Sequence, residues 1–229
     1  MKDAAAQTIE RADALSTKRA TLRVFATRGS AQVFVTVAVA AVVVRSTAEA
    51  PNFADLTVVV VTLTAIGPVE WIIHRWVLHG SPHSWMSRRL GTGTGHRQHH
   101  VDPPALDFLL LAGTDAAVFM SLFLVASGAW ALPLAAVLGA GALSTYATAV
   151  ACAAVGLAHY EWVHLLVHTR YRCRSGYYAR LARNHRLHHF RNEDYWLGVT
   201  TNSGDRVLGT YPSNKSEVEL SDTARTLGS

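Results

Sequence analysis

Four apolar stretches separate arginine-rich segments, and each is long enough, or nearly so, to cross a bilayer, which takes about 20 helical residues. The first covers residues 31–48, the second runs from Phe53 to His79, and the third covers 106–127. The fourth starts near Leu132 and continues toward His168. At about 1.5 Å per residue the fourth would overshoot a hydrocarbon core of about 30 Å, so its later part is expected to leave the bilayer or lie along its surface. Only 16% of the residues are charged, against roughly a quarter in a soluble domain. The expected fold class is therefore all-α: a polytopic membrane protein with about four transmembrane helices. One domain over 30–212 is expected, preceded by a polar tail (1–29, part amphipathic helix and part disordered) and followed by a disordered tail (213–229). Residues 1–29 carry Arg11, Lys18, Arg19, Arg23 and Arg28 and do not read as a cleaved signal peptide.

Charge sets the expected orientation, because cytoplasmic segments of membrane proteins are enriched in Lys and Arg. The N-terminal tail is basic. The 75–104 segment carries Arg75, Arg88, Arg89 and Arg97, and the C-terminal segment carries Arg170, Arg172, Arg174, Arg180, Arg183, Arg186 and Arg191. The 45–55 connection has one Arg and two acids, and the connection expected at 128–132 has neither Lys nor Arg. Four spans put all three basic segments on the cytoplasmic side together with both termini. No nucleic-acid partner is expected. Cys152 and Cys173 lack CxxC spacing and are expected to be reduced.

All 12 histidines fall between residues 74 and 189. Ten of them form four boxes: His74 and His79 (H-x4-H), His96, His99 and His100 (HxxHH), His164 and His168 (H-x3-H), and His185, His188 and His189 (HxxHH). Residues three and four apart share a helix face, so each HxxHH aims three imidazoles to one side. His74 and His79, five apart, require the helix to bend or end between them. Every box lies at or just past the expected cytoplasmic end of a span, where the four can converge. Ten imidazoles exceed the four to six ligands of one first-row ion and suit two; the ligand type itself admits Zn, Cu, Fe or Ni. His83 and His159 stand outside this set. Glu161, Asp194 and Glu70 are the carboxylates placed to orient ligating rings through their second N–H; Glu70, in an apolar span, reads equally as a paired or protonated group closing a helix contact. Trp71, Trp76, Trp85, Trp162 and Trp196 are candidates for a substrate entrance or for interfacial anchors. The glycines at 91–95 lack the strand and the Lys-Ser/Thr of a phosphate loop and read as a turn placing the second box. The chain also shows a weak two-fold echo, a helical pair ending in a histidine box followed by HxxHH, twice.

The order H-x4-H, HxxHH, H-x3-H, HxxHH resembles the fatty acid hydroxylase and sterol desaturase superfamily. NHRLHHFRNEDYWLGVTTNSGDRVLGTYP (184–212) is similar to that family's ending, through Gly198, Val199, Thr200, Asp205, Gly209 and Thr210. YEWVHLLVH (160–168) is similar to the third box of fatty acid 2-hydroxylases and beta-carotene hydroxylases, although Thr169 follows His168 where the former often carry a second histidine. The resemblance covers about residues 70–212. It implies a four-helix membrane scaffold with a cytosolic dimetal cap holding two Fe ions (zinc competing in a recombinant sample), O2 as co-substrate, and oxidation of a lipid C–H by hydroxylation. Carotenoid or sterol hydroxylation and lipid desaturation are the alternatives within the class. A separate electron donor, a ferredoxin or a cytochrome with its reductase, is implied as a partner, steered by Arg172, Arg174, Arg180 and Arg183 if those charges are more than a topology signal. A membrane metal transporter would need histidines through the bilayer midplane, and a bis-histidine haem carrier would not need ten.

Overall fold

A computed structural model describes residues 10–90 and 93–228. Among them the regular elements are helices: α1 (Lys18–Thr27), α2 (Gly29–Ser46), α3 (Phe53–Ile72), α4 (Trp85–Leu90), α5 (Thr94–Val101), α6 (Leu106–Leu109), α7 (Gly113–Leu138), α8 (Ala142–Val167), α9 (Gly176–Phe190) and α10 (Ser203–Val207), with a π-helical turn Ile73–Leu78 extending α3. Four segments are long and apolar enough to cross a membrane: Gly29–Ser46, Phe53–Leu78, Leu106–Leu138 and Ala142–Val167. They make this an integral membrane protein.

The third and fourth spans divide later than expected. α7 runs through 128–132 without a break and tolerates Pro133 inside it; the chain turns at Gly139, whose φ of 62° is the left-handed conformation that closes a helix. Gly128, inside the expected connection, is a packing position: a Cβ there would lie 3.6 Å from the Tyr146 ring of α8.

Helix α8 is the centre of the bundle, packing on α2, α3 and α7. Of its most apolar window 44% is buried, against 22% for each of the other spans. Apart from Val150, the buried residues of its first half are small, Ser144, Thr145, Ala147, Thr148, Ala149 and Ala154, which let neighbouring backbones approach where lipid supplies no hydrophobic drive. At the end remote from the histidines, Arg45 Nε donates to Asp55 (2.8 Å), and Glu49 accepts from Gly141 N (2.9 Å) and Ser144 Oγ (2.8 Å). Asn52 and Asp55 form a reciprocal capping box at the start of α3.

The opposite end carries a cap of α4, α5, α9, α10 and both terminal segments. The N-terminal segment is stitched to it: Ala12 N donates to Pro104 O (2.8 Å), Leu106 N to Glu10 O (2.9 Å) and Arg170 N to Leu15 O (2.9 Å). Residues 1–9 lie outside the described residues. The C-terminal segment, expected to be disordered, is instead packed on the cap through 228, with Val218 and Ala224 buried. Its hydrogen bonds to α9 and α5 supply the order that its polar composition hides.

Candidate metal centre

The first box sits where α3 ends. In an α-helix residues five apart face different ways. Here the last turn widens, and His79 N donates to the carbonyl of His74 at 3.0 Å. This π-type bond returns residue i+5 to the face of residue i. The helix thus meets the expected requirement by widening rather than by bending. π-turns of this kind are common at functional sites. Gly93, left-handed at φ 77°, precedes α5 and lies so close to the π-turn that a Cβ would be 2.6 Å from the Leu78 carbonyl. That contact brings the second box against the first.

All ten boxed histidines converge, in two nests of five. One holds His74, His79, His96, His100 and His188; the other holds His99, His164, His168, His185 and His189. Within each nest one ring nitrogen per histidine lies within 4.8 Å of all the others. Each HxxHH box contributes its outer pair, four apart, to one nest and its middle histidine to the other. His96 and His100 join the first box while His99 crosses to the third; His185 and His189 join the third box while His188 crosses to the first. The two-fold echo in the sequence is this exchange. His83 and His159 belong to neither nest; His159 stacks on the Tyr177 ring.

The ring nitrogens fit a metal ion. In the first nest, Nδ1 of His74, His100 and His188 faces the carbonyls of Leu197 (2.5 Å), Ala224 (2.7 Å) and Tyr195 (3.0 Å). A carbonyl only accepts, so each Nδ1 carries the proton and each Nε2 is a lone pair. Nε2 of His100 and His188, and both nitrogens of His79, are buried without a hydrogen-bond partner. In the second nest, His164 Nε2 is 3.0 Å from His99 Nε2, and His185 Nε2 is 2.9 Å from His168 Nε2 and 3.0 Å from His189 Nε2. A neutral ring nitrogen has one proton or one in-plane lone pair, so His185 Nε2 completes a bond with one of these neighbours and not both. A cation in each nest would resolve these orphaned lone pairs. Burial, joined by the neighbouring imidazoles, pushes His79, His96, His99, His168, His185, His188 and His189 well below the ordinary histidine range. Burial also brings His100 down to about 4 against the opposing pull of the Ala224 carbonyl. At neutral pH the rings are neutral, as metal ligation requires.

Among the described hydrogen bonds none of the three carboxylates reaches a boxed ring, which corrects the expectation for Glu161 and Asp194, while Glu70 takes its other reading, a paired group closing a helix contact. Glu161 is buried and accepts from Leu111 N (3.1 Å), fixing the α6–α7 junction. Asp194 pairs with Arg75 at the surface. Glu70 accepts from Thr200 N (2.9 Å), Thr200 Oγ1 (2.6 Å) and Val199 N. It therefore anchors the loop whose Leu197 carbonyl holds His74, so it acts on the ring through the backbone. Asp205 does the same from the other side, accepting from Leu197 N (2.9 Å), Gly198 N (2.8 Å) and Thr210 Oγ1 (2.6 Å). Trp71 joins this brace by donating to Thr210 (2.8 Å), and Trp196 is buried at φ 53°. Trp76 and Trp85 are exposed, and Trp162 packs edge-on against Phe25. The carbonyls of Tyr195, Leu197 and Ala224 are the ring partners that sequence reasoning misses, since a backbone acceptor leaves no mark in residue type.

Comparison with known proteins bears on the same stretch. The fatty acid hydroxylase family model matches residues 57–210, which contain every boxed histidine. A beta-carotene hydroxylase of Paracoccus sp. (strain PC1) is 34% identical over 134 residues, covering 58% of this chain and 72% of that protein. A second, from Paracoccus sp. (strain N81106 / MBIC 01143), is 33% identical over 136 residues, covering 59% and 74%. No solved structure matches the chain. Since the match spans more than half of its length, the chain belongs to the fatty acid hydroxylase family.

Proposed function

We propose that the chain is a di-iron membrane oxygenase that places one oxygen atom of O2 on an unactivated C–H of an apolar lipid, a carotenoid being the substrate class its relatives favour. The observation that carries this reading is the pair of five-histidine nests with orphaned lone pairs at one end of a membrane bundle. Five imidazoles exceed the tetrahedral set of structural zinc, which favours a metal of higher coordination number. The nests gather at the helix ends and do not line a path across the bundle, which disfavours a transporter.

Bound irons would supply the O2 activation; the protein supplies the rest. The ten rings hold the ions. Glu70, Asp205 and the carbonyls of Tyr195 and Leu197 keep the His74 and His188 rings of the first nest from turning. Burial of both nests would keep bulk water from the ions they hold. The hydroxylation balances as RH + O2 + two electrons + two protons giving ROH + H2O. The two electrons come from a separate ferredoxin or cytochrome that docks on the basic cap, placed on the cytoplasmic side with both termini.

The test combines elemental analysis with product mass spectrometry on detergent-purified protein given O2, a reduced ferredoxin and a panel of carotenoid, sterol and acyl lipids. Two metal ions per chain, one for each nest, and an iron-dependent gain of one oxygen are expected. His188→Ala is expected to abolish product and lower the metal content. No metal, or a haem spectrum, overturns the reading. Loss of two hydrogens in place of oxygen gain would make the chain a desaturase.

A further inference from the structure

The family match ends at residue 210, yet the chain beyond it lies across the cap. Arg191 Nε donates to Val218 O (2.8 Å), Ser221 N to Arg191 O (2.8 Å) and Asn192 Nδ2 to Glu219 O (3.3 Å). Thr223 Oγ1 donates to the Glu193 carboxylate. Arg225 reaches Val101 O on α5 (3.3 Å) and lies over the Phe190 ring of α9. Between these ties, Ala224 O receives the Nδ1 proton of His100 at 2.7 Å.

We infer that residues 213–228 are a strap that completes the first nest and leaves the second untouched, with Ala224 O as the positioning group for His100 and the Thr223–Glu193 bond as its latch. The inference rests on the two-metal reading of the nests. Its physical basis is the tautomer of His100. A neutral imidazole has one N–H, and the strap's carbonyl fixes it on Nδ1, which leaves Nε2 as the lone pair in the nest. His100 Nε2 has no other partner. Among the described hydrogen bonds, the strap touches no histidine of the second nest. The first nest takes its other two carbonyls from Tyr195 and Leu197, so all three of its described ring-orienting acceptors lie after α9. The second nest depends on α5, α8 and α9 and the residue capping α8.

The test uses full-length protein and cobalt(II) as a probe, titrated into chelator-stripped samples and read by its visible absorption and by bound metal per chain. Two variants loosen the strap at a distance from the ring: Thr223→Val removes the latch, and Val218→Asp places a charge where the strap is buried. In both, one equivalent is expected to bind as in wild type and the other roughly 10–100-fold more weakly, the effect of losing a partner behind a ligating histidine. His168→Ala, in the second nest, is expected to weaken the other equivalent, and its spectrum should be the one the strap variants lose. Wild-type affinity at both equivalents in the strap variants, or equal weakening of both, overturns the strap. If Val218→Asp does not fold, the conservative Thr223→Val decides alone. Wild type that binds no cobalt overturns the two-metal reading itself.

Discussion

Glu70 shows how a carboxylate in an apolar span is tolerated. Its two oxygens take three hydrogen bonds from Val199 and Thr200, the partners that a buried carboxyl group needs. Glu70→Gln keeps an oxygen for the two N–H groups and an amide that can donate to the Thr200 hydroxyl, so it should fold and retain metal. Glu70→Leu leaves three buried donors unpaired, at about 1–3 kcal/mol each, and frees the loop that holds His74. A thermal melt with metal analysis should show near-wild-type behaviour for Gln and a loss of at least about 3 kcal/mol for Leu; equal behaviour of the two would refute the anchoring role. His100 gives a pH prediction for the chelator-stripped protein. With a folded value of about 4 against about 6.5 when unfolded, it holds fewer protons folded than unfolded throughout that window. Stability is fully present above pH 6.5 and drains away as pH falls toward 4, by about 1.4 kcal/mol per pH unit for this ring. The other buried rings outside the spans shift in the same direction. The stripped protein's unfolding midpoint should therefore fall steeply from pH 7 to 5; bound metal should raise the midpoint across that window and lose its effect only as protons compete for the rings at about pH 4, and a midpoint that metal does not move would contradict ligation by these rings. The ten ligand candidates were legible because histidine spacing maps directly onto helix faces. The roles of the carboxylates were not, because Glu70 and Glu161 act on backbone amides and Asp194 on Arg75, and which donor approaches each is a tertiary fact.

At the scale of elements, the centre depends on how closely the loop after α9 sits on α3. Gly67 and Gly204 make that approach: a Cβ on Gly204 would lie 2.3 Å from the Gly67 carbonyl and 2.9 Å from Trp71 Cβ. Backbone lies on one side of the contact, so neither partner can yield by a rotamer change. Gly204→Val should pry α10 and its Asp205 from α3, release the Leu197 carbonyl from His74 and cost metal in the first nest before the second. Unequal loss of the two equivalents in a cobalt titration supports this; unchanged binding refutes it. The His74–His79 spacing signalled an irregular helix end, although not that the helix would widen. The Gly139 turn was hidden because the third apolar stretch was expected to end at 127, and a glycine at 139 leaves no stronger mark in the sequence than the one at 128. Inside a bundle, Gly128 serves Tyr146 instead and Pro133 is tolerated in the helix.

For the whole molecule, the later turn changes the residues between the third and fourth spans but not the charge argument. The segments joining the spans at the far end are 47–52, with Glu49 as its one charged residue, and 139–141, which is uncharged. The histidine end carries α1, the 79–105 segment and everything after α8, with nearly all of the arginines. Translocating that many cations is unfavourable, so the nests and both termini should face the cytoplasm. The prediction is checked with single cysteines in a background of Cys152→Ser and Cys173→Ser. Ala140→Cys should react with a membrane-impermeant maleimide in intact cells. Asn214→Cys, at an exposed position of the C-terminal segment, should react only after the membrane is opened. The reverse pattern would place the nests on the outer face, where a cytoplasmic ferredoxin could not reach them, and the proposed electron supply would fail with the topology. Labelling of both positions in intact cells would mean that α8, the one span between them, does not cross the bilayer. In that case the four apolar helices could not all be transmembrane, and the failure would fall on α8, although it is the most buried of the four and carries the third histidine box into the cap.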